Sequence, residues 1–137
     1  MTPVSLRIAR PTADLETTAR LYERGLGWTR LGEFRNHEGF SGIMLGPTDA
    51  AYHLELTHEA GAPPEPPPSH ENLLVLYYDD ADTWSLRCAA MKAAGFIEVA
   101  PHNPYWQRDA RCFVDPDGYR VVLHAGRWPA SSGHRRP

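Results

Sequence analysis

Asp14-Leu15-Glu16-Thr17-Thr18-Ala19-Arg20-Leu21-Tyr22-Glu23-Arg24-Gly25-Leu26-Gly27-Trp28 is the stretch on which the fold turns. Asp14 has the short acceptor side chain that caps a helix start. Leu15, Ala19, Tyr22 and Leu26 fall on one helical stripe, and Gly25 or Gly27 supplies the left-handed residue that stops it. The same grammar returns near an offset of 68, where Asp14 corresponds to Asp82, Gly27-Trp28 to Gly95-Phe96, and Leu31 to Val99. A helix-and-strands unit that occurs twice cannot bury both faces of its small sheet alone, so a duplicated unit predicts paired modules.

Outward from the first helix, Ser5–Ala9 alternates apolar and other residues as a strand does, and three more strands are expected at 28–34, 40–45 and 51–57. The second half repeats the order. A strand at 72–78 leads to a helix at 80–94 with Trp84, Cys88 and Met91 on its packing stripe, and strands follow at 96–99, 111–114 and 119–124. Between the halves, Pro63, Pro64, Pro66, Pro67 and Pro68 deny the backbone its donors, which makes 60–70 a spacer. The expected layout is one domain over 1–137: module one at about 4–59, linker 60–70, module two at about 71–126, and a flexible polar tail at 127–137. The fold class is α+β, two tandem β-α-β-β-β modules.

Composition narrows the function. The chain has 137 residues, is 42% hydrophobic and 23% charged, and carries a formal charge of −3, so it lacks the basic excess of nucleic-acid binders. No apolar run reaches membrane-spanning length and no secretory leader opens the sequence, which points to a cytoplasmic protein. Cys88 and Cys112 are too far apart for a Cys-x-x-Cys motif and are expected to be buried, inert thiols. There is no Gly-rich phosphate loop, since Gly25-Leu26-Gly27 falls at a helix end.

Several landmarks together resemble the vicinal oxygen chelate superfamily, which includes glyoxalase I, extradiol dioxygenases, fosfomycin-resistance enzymes and bleomycin-resistance proteins. They are Asp14-Leu15-Glu16, Leu21-Tyr22, Gly25-Leu26-Gly27-Trp28, His53-Leu54-Glu55-Leu56 and Asp115-Pro116-Asp117-Gly118-Tyr119. Arg7-Ile8-Ala9-Arg10-Pro11-Thr12, Tyr52-His53-Leu54-Glu55 and Asn103-Pro104-Tyr105-Trp106 are similar to a glyoxalase-like bacterial subgroup of unassigned function. The resemblance implies that the two modules form a cleft. It also implies that, in metal-using members, the first and last strand of each module give one ligand each to an ion. Aligned on these motifs, the four positions hold Arg7, Glu55, Leu73 and Val122. Arginine keeps its proton and two of the others are aliphatic, so only Glu55 retains a ligand type and no metal or other cofactor is expected.

Strand alternation assigns faces. Leu6, Ile8, Leu54, Leu56, Val121 and Leu123 should lie under the helices. The opposite faces carry Arg7, then His53, Glu55 and Thr57, and then Arg120, Val122 and His124, with Tyr77 in register beside Leu73 and Val75. Tyr105 and Trp106 precede the penultimate strand and suit an aromatic wall for a flat ligand. The ligand-binding set is thus Arg7, His53, Glu55, Thr57, Tyr77, Tyr105, Trp106, Arg120 and His124. Arg7 is expected to hydrogen-bond Glu55 where the ion would sit.

Two functions fit. One is a metal-independent small-molecule binder, similar to bleomycin-resistance members that sequester a drug, with an antibiotic or metabolite as partner. The other is a lyase or isomerase of the superfamily, with Glu55 as general base or a displaced metal at His53, Glu55 and His124. A homodimer is expected, and neither nucleic acid nor membrane is a partner.

Overall fold

The computed structural model describes residues 1–129. The expected tail therefore lies outside the described residues from position 130 onward. The chain divides into two compact units, 1–66 and 67–137, with the cut inside the proline-rich linker.

In the first unit, β1 (Leu6–Pro11), α1 (Leu15–Leu26), β2 (Thr29–His37), β3 (Phe40–Gly46) and β4 (Tyr52–Glu59) build a four-stranded sheet of order β1-β4-β3-β2. β1 runs parallel to β4 and the other pairs are antiparallel. Asp14 caps α1 by accepting from the Thr17 amide, and Gly27, at φ 69°, ends it. Of the two glycines available, only Gly27 takes the left-handed turn. The apolar stripe of α1 covers Ile43, Leu45, Leu54 and Leu56, all essentially inaccessible, and Tyr22 is fully buried beside Trp28.

The second unit repeats the order with β5 (Leu73–Tyr78), α2 (Ala81–Ala94), β6 (Ile97–Val99), β7 (Ala110–Val114) and β8 (Arg120–Ala125), and its sheet runs β5-β8-β7-β6. Met91, Cys88, Phe113, Val121 and Leu123 are buried, and Trp84 donates its indole N–H to the Leu123 carbonyl. The Asp115–Tyr119 turn is held by Asp115 Oδ1, which accepts from the amides of Asp117 and Tyr119 at 2.9 and 3.0 Å. Gly118 sits there at φ 92°, and any side chain on it would press on Pro68.

Three expectations need correction. The cap of α2 is Asp80, whose carboxylate accepts from Thr83, so Asp82 sits in the first turn instead. α2 has 14 residues against 12 in α1, so the repeat offset is 66 at the helix start and 68 at the helix end. Leu6 is exposed despite its apolar parity, because β1 is an edge strand and Leu6 lies at its open end. The covered member of that face is Arg10, which is paired in register with Leu56.

Candidate functional site

On the first sheet, parallel pairing sets Arg7 beside His53 and Ala9 beside Glu55. Their side chains leave from the face opposite the Leu54–Leu56 face that α1 covers. Arg7 Nε donates to His53 Nε2 at 2.8 Å, and its Nη1 lies 3.6 Å from Glu55 Oε1. The expected hydrogen bond to Glu55 is therefore a looser ion pair, and the directional bond goes to histidine. The Arg7 side chain is 49% exposed while that of Glu55 is only 12% exposed. Thr57, two residues on, is occupied elsewhere: its hydroxyl donates to the Arg10 carbonyl at 3.4 Å.

Sequence reasoning missed two further residues on this face. Phe34 is opposite Gly42, and Met44 lies between Gly32 and Glu55 in register. A Cβ at Gly42 would lie 2.5 Å from Phe34 Cε1 and 3.3 Å from Glu55 Oε2, so the ring and the carboxylate meet over a glycine. The usable signal was the period-two spacing of Gly32 and Phe34 and of Gly42 and Met44. Which glycine each side chain leans across depends on strand pairing, and composition does not reveal it.

On the second sheet, pairing sets Leu73 beside Arg120, Val75 beside Val122 and Tyr77 beside His124. Four of the expected ligand-binding residues come together here. Tyr77 and His124 rings are 5.0 Å apart, Trp106 and His124 6.1 Å, and Tyr105 and Trp106 4.8 Å. Tyr105 and Trp106 sit in a single 3-10 turn, Pro104–Gln107, with Asn103 accepting from the Tyr105 amide. Trp106 packs with Leu73, Val75 and Val99 against the buried Ala110, Cys112 and Val122. Arg120 shares this face but is buried, and its Nη1 donates to the Ala100 carbonyl at 3.4 Å.

The register equates positions between the units. Arg7 corresponds to Leu73, His53 to Arg120, Glu55 to Val122, and Thr57 to His124. The first unit offers Arg7, His53 and Glu55 at these points, whereas the second offers the apolar Leu73 and Val122 and the ring-clustered His124 beside one buried charge, Arg120. Arg7 cannot ligate, Leu73 and Val122 have no donor atoms, and His53 Nε2 already accepts from Arg7. Among the described residues no three His, Cys, Asp or Glu side chains converge on one point.

Both cysteines are buried, and burial pushes each thiol up. Arginines stand nearby. Arg111 beside Cys88 and Arg120 beside Cys112 each pull the other way without overcoming desolvation. A groove of about 700 Å³ opens at the β6 edge, lined in part by Lys92, Ile97, Glu98, Gln107 and Arg111, and it contains none of the expected ligand-binding residues. Its charges are spent on each other: Arg111 grips Glu98 with two bonds, at 2.8 and 2.6 Å, and holds that carboxyl below its usual range.

No helix among the described residues is long and apolar enough to cross a membrane. Residues 6–57 match the YycE-like N-terminal domain and residues 71–125 the YycE-like C-terminal domain. The uncharacterized protein YycE of Bacillus subtilis (strain 168) is 42% identical over 118 residues, covering 86% of this chain and 85% of its own. The crystal structure of a YycE protein of unknown function from Bacillus subtilis, offered there as a candidate glyoxalase/fosfomycin resistance protein, superposes with a TM-score of 0.84. It is 39% identical and covers 96% of this chain and 94% of that one. Two more distant structures share the fold. TnmS3, an antibiotic binding protein from Streptomyces sp. CB03234, has a TM-score of 0.64 at 24% identity, with 93% and 98% coverage. The trypanothione-dependent glyoxalase I of Leishmania major has 0.70 at 19%, with 91% and 88%.

Proposed function

This chain belongs to the YycE-like family of the vicinal oxygen chelate superfamily, and from that premise we propose that it is a metal-independent small-molecule-binding protein. The observation that carries the reading is the Arg7–His53 hydrogen bond, with Glu55 in ion-pair range. It spends the Arg7 guanidinium, at one of the four aligned ligand positions, on the neighbouring His53 imidazole. The Tyr77, Trp106, Tyr105 and His124 cluster supports it further, because rings of this kind cover flat or apolar ligands. The ligand is an antibiotic or a metabolite, as an antibiotic is bound by the structurally similar TnmS3. The two units act as one domain, and the working form is a cytoplasmic homodimer.

Elemental analysis and native mass spectrometry of protein purified without chelator test this together. The expected result is no stoichiometric transition metal and a dimer mass that retains small molecules. Stoichiometric metal that is lost on Glu55→Gln would overturn the reading.

One observation favours a second reading, a lyase or isomerase with Glu55 as general base. That carboxylate is largely covered, and among the described residues its one polar contact is the long pair with Arg7. Turnover of a bound carbonyl compound that disappears in Glu55→Gln while binding persists would establish it.

A further inference from the structure

Two glycines hollow the charged face of the first sheet. A side chain at Gly42 would strike the Phe34 ring, 2.5 Å from Cε1 and 2.7 Å from Cζ, and would lie 3.3 Å from Glu55 Oε2. Gly32 admits Met44 in the same way, with its Cε 3.1 Å from the point a Cβ would take. The glycines are therefore filled by their neighbours' side chains. The result is an aromatic ring and one particular carboxylate oxygen that both lie beside the same glycine.

The two oxygens of Glu55 differ. Oε1 faces Arg7 Nη1 at 3.6 Å, and Oε2 faces the Phe34 side. A carboxylate has about four acceptor positions. With a 12% exposed side chain and one long ion pair, Glu55 is short of donors from the described residues. The side chain is mostly covered, so a donor brought by a bound group meets less competition from water here than on an open surface.

We propose that Phe34 and Glu55, seated together over Gly42, form a subsite for an aromatic ring bearing a neutral hydrogen-bond donor, such as a phenol or a heteroaromatic N–H. The inference rests on the small-molecule-binding reading above and specifies the chemistry this part of the site takes. The ligand ring packs on Phe34, and its N–H or O–H donates to Oε2 in a charge-assisted bond. A protonated amine is the poorer occupant, because the Arg7 guanidinium already stands beside the same carboxylate. An anion is refused by Glu55 itself.

The test is an NMR titration of the ¹⁵N-labelled full chain at mildly acidic pH with 4-cyanophenol, with 4-cyanoanisole, which lacks the donor, and with 4-cyanobenzylammonium. The phenol is expected to shift the amides of Phe34, Gly42 and Glu55 and to bind roughly tenfold more tightly than the ether. Glu55→Gln should erase most of that preference, and Phe34→Leu should weaken phenol and ether alike. Each variant is first checked for a dispersed spectrum, and Gly42→Ala, which unseats the ring, provides an independent second perturbation. Equal binding of phenol and ether, tighter binding of the ammonium, or full phenol preference in Glu55→Gln would overturn the proposal. Shifts confined to Tyr77, Trp106 and His124 would overturn it while leaving small-molecule binding in place. No saturable shift with any probe would overturn both.

Discussion

Replacing Arg7 by Met removes a charge from one side of an asymmetric pair, and the asymmetry sets the cost. At 3.6 Å two unit charges attract by roughly 4–5 kcal/mol at an effective dielectric of about 20. Half of the Arg7 side chain is in water, which screens most of that and places the pair between a surface ion pair, at about 0–1 kcal/mol, and a buried one, at about 3–5 kcal/mol on removal of one partner. Glu55, the covered partner, is what Arg7→Met strands, and His53 loses its donor as well. The expected loss is about 1–2 kcal/mol, less than a fully buried pair would lose. In urea that moves the midpoint by roughly 0.5–2 M for a slope of about 1–2 kcal/mol per molar. The double variant Arg7→Met with Glu55→Gln carries no stranded charge and should recover most of the loss. The four proteins form a cycle with a coupling of about 0.5–1.5 kcal/mol. Strict additivity, or an Arg7→Met protein as stable as the parent, would refute the idea that Arg7 holds Glu55 in place.

Acid should weaken the fold through carboxylates that arginine holds down. Arg30 and Arg35 on Glu16, and Arg111 on Glu98, lower both below the ordinary 4.5, so their contribution is full above that value and is lost as pH falls through the folded values. Glu98→Gln should flatten the stability-against-pH curve below about pH 4.5, and an unchanged slope counts against the pairing. Asp115→Ala leaves the amides of Asp117 and Tyr119 without their acceptor and should cost about 1–3 kcal/mol in urea unfolding. A neutral result would mean that the turn is held by its Pro and Gly alone. Cys88 and Cys112 should resist an aromatic disulfide reagent near neutral pH until denaturant is added, and rapid native labelling would contradict their burial. Sedimentation at tens of micromolar should report a dimer, and a clean monomer would remove the homodimer from the proposal.

Local chemistry made much of this legible in advance. Asp14, Gly27 and Gly95 do at the helix ends what short acceptors and glycines do elsewhere. Alternation placed Arg7, His53 and Glu55 on one face, and Tyr77 and His124 on another. The errors came where two residues of one chemistry compete or where the answer is non-local. Asp80 and Asp82 are equally good caps, and only the helix length selects the first. Leu6 is apolar in the right phase, but an edge strand has no helix over its open end. Phe34 and Met44 became visible as site residues only once the β2–β3 and β3–β4 registers were known.

The matching registers of β1–β4 and β5–β8 mean that each position in one module has a counterpart in the other. Had the halves remained identical, as they would in two copies of a single module, every polar residue would appear twice. On one chain the counterparts need not be the same residue, and here they differ. Arg7 and Glu55 carry charge where Leu73 and Val122 are aliphatic, and the position equivalent to Thr57 holds His124, a member of the ring cluster. The two modules thus present unlike chemistry on matching strand registers, ion-paired on the first sheet and ring-rich on the second.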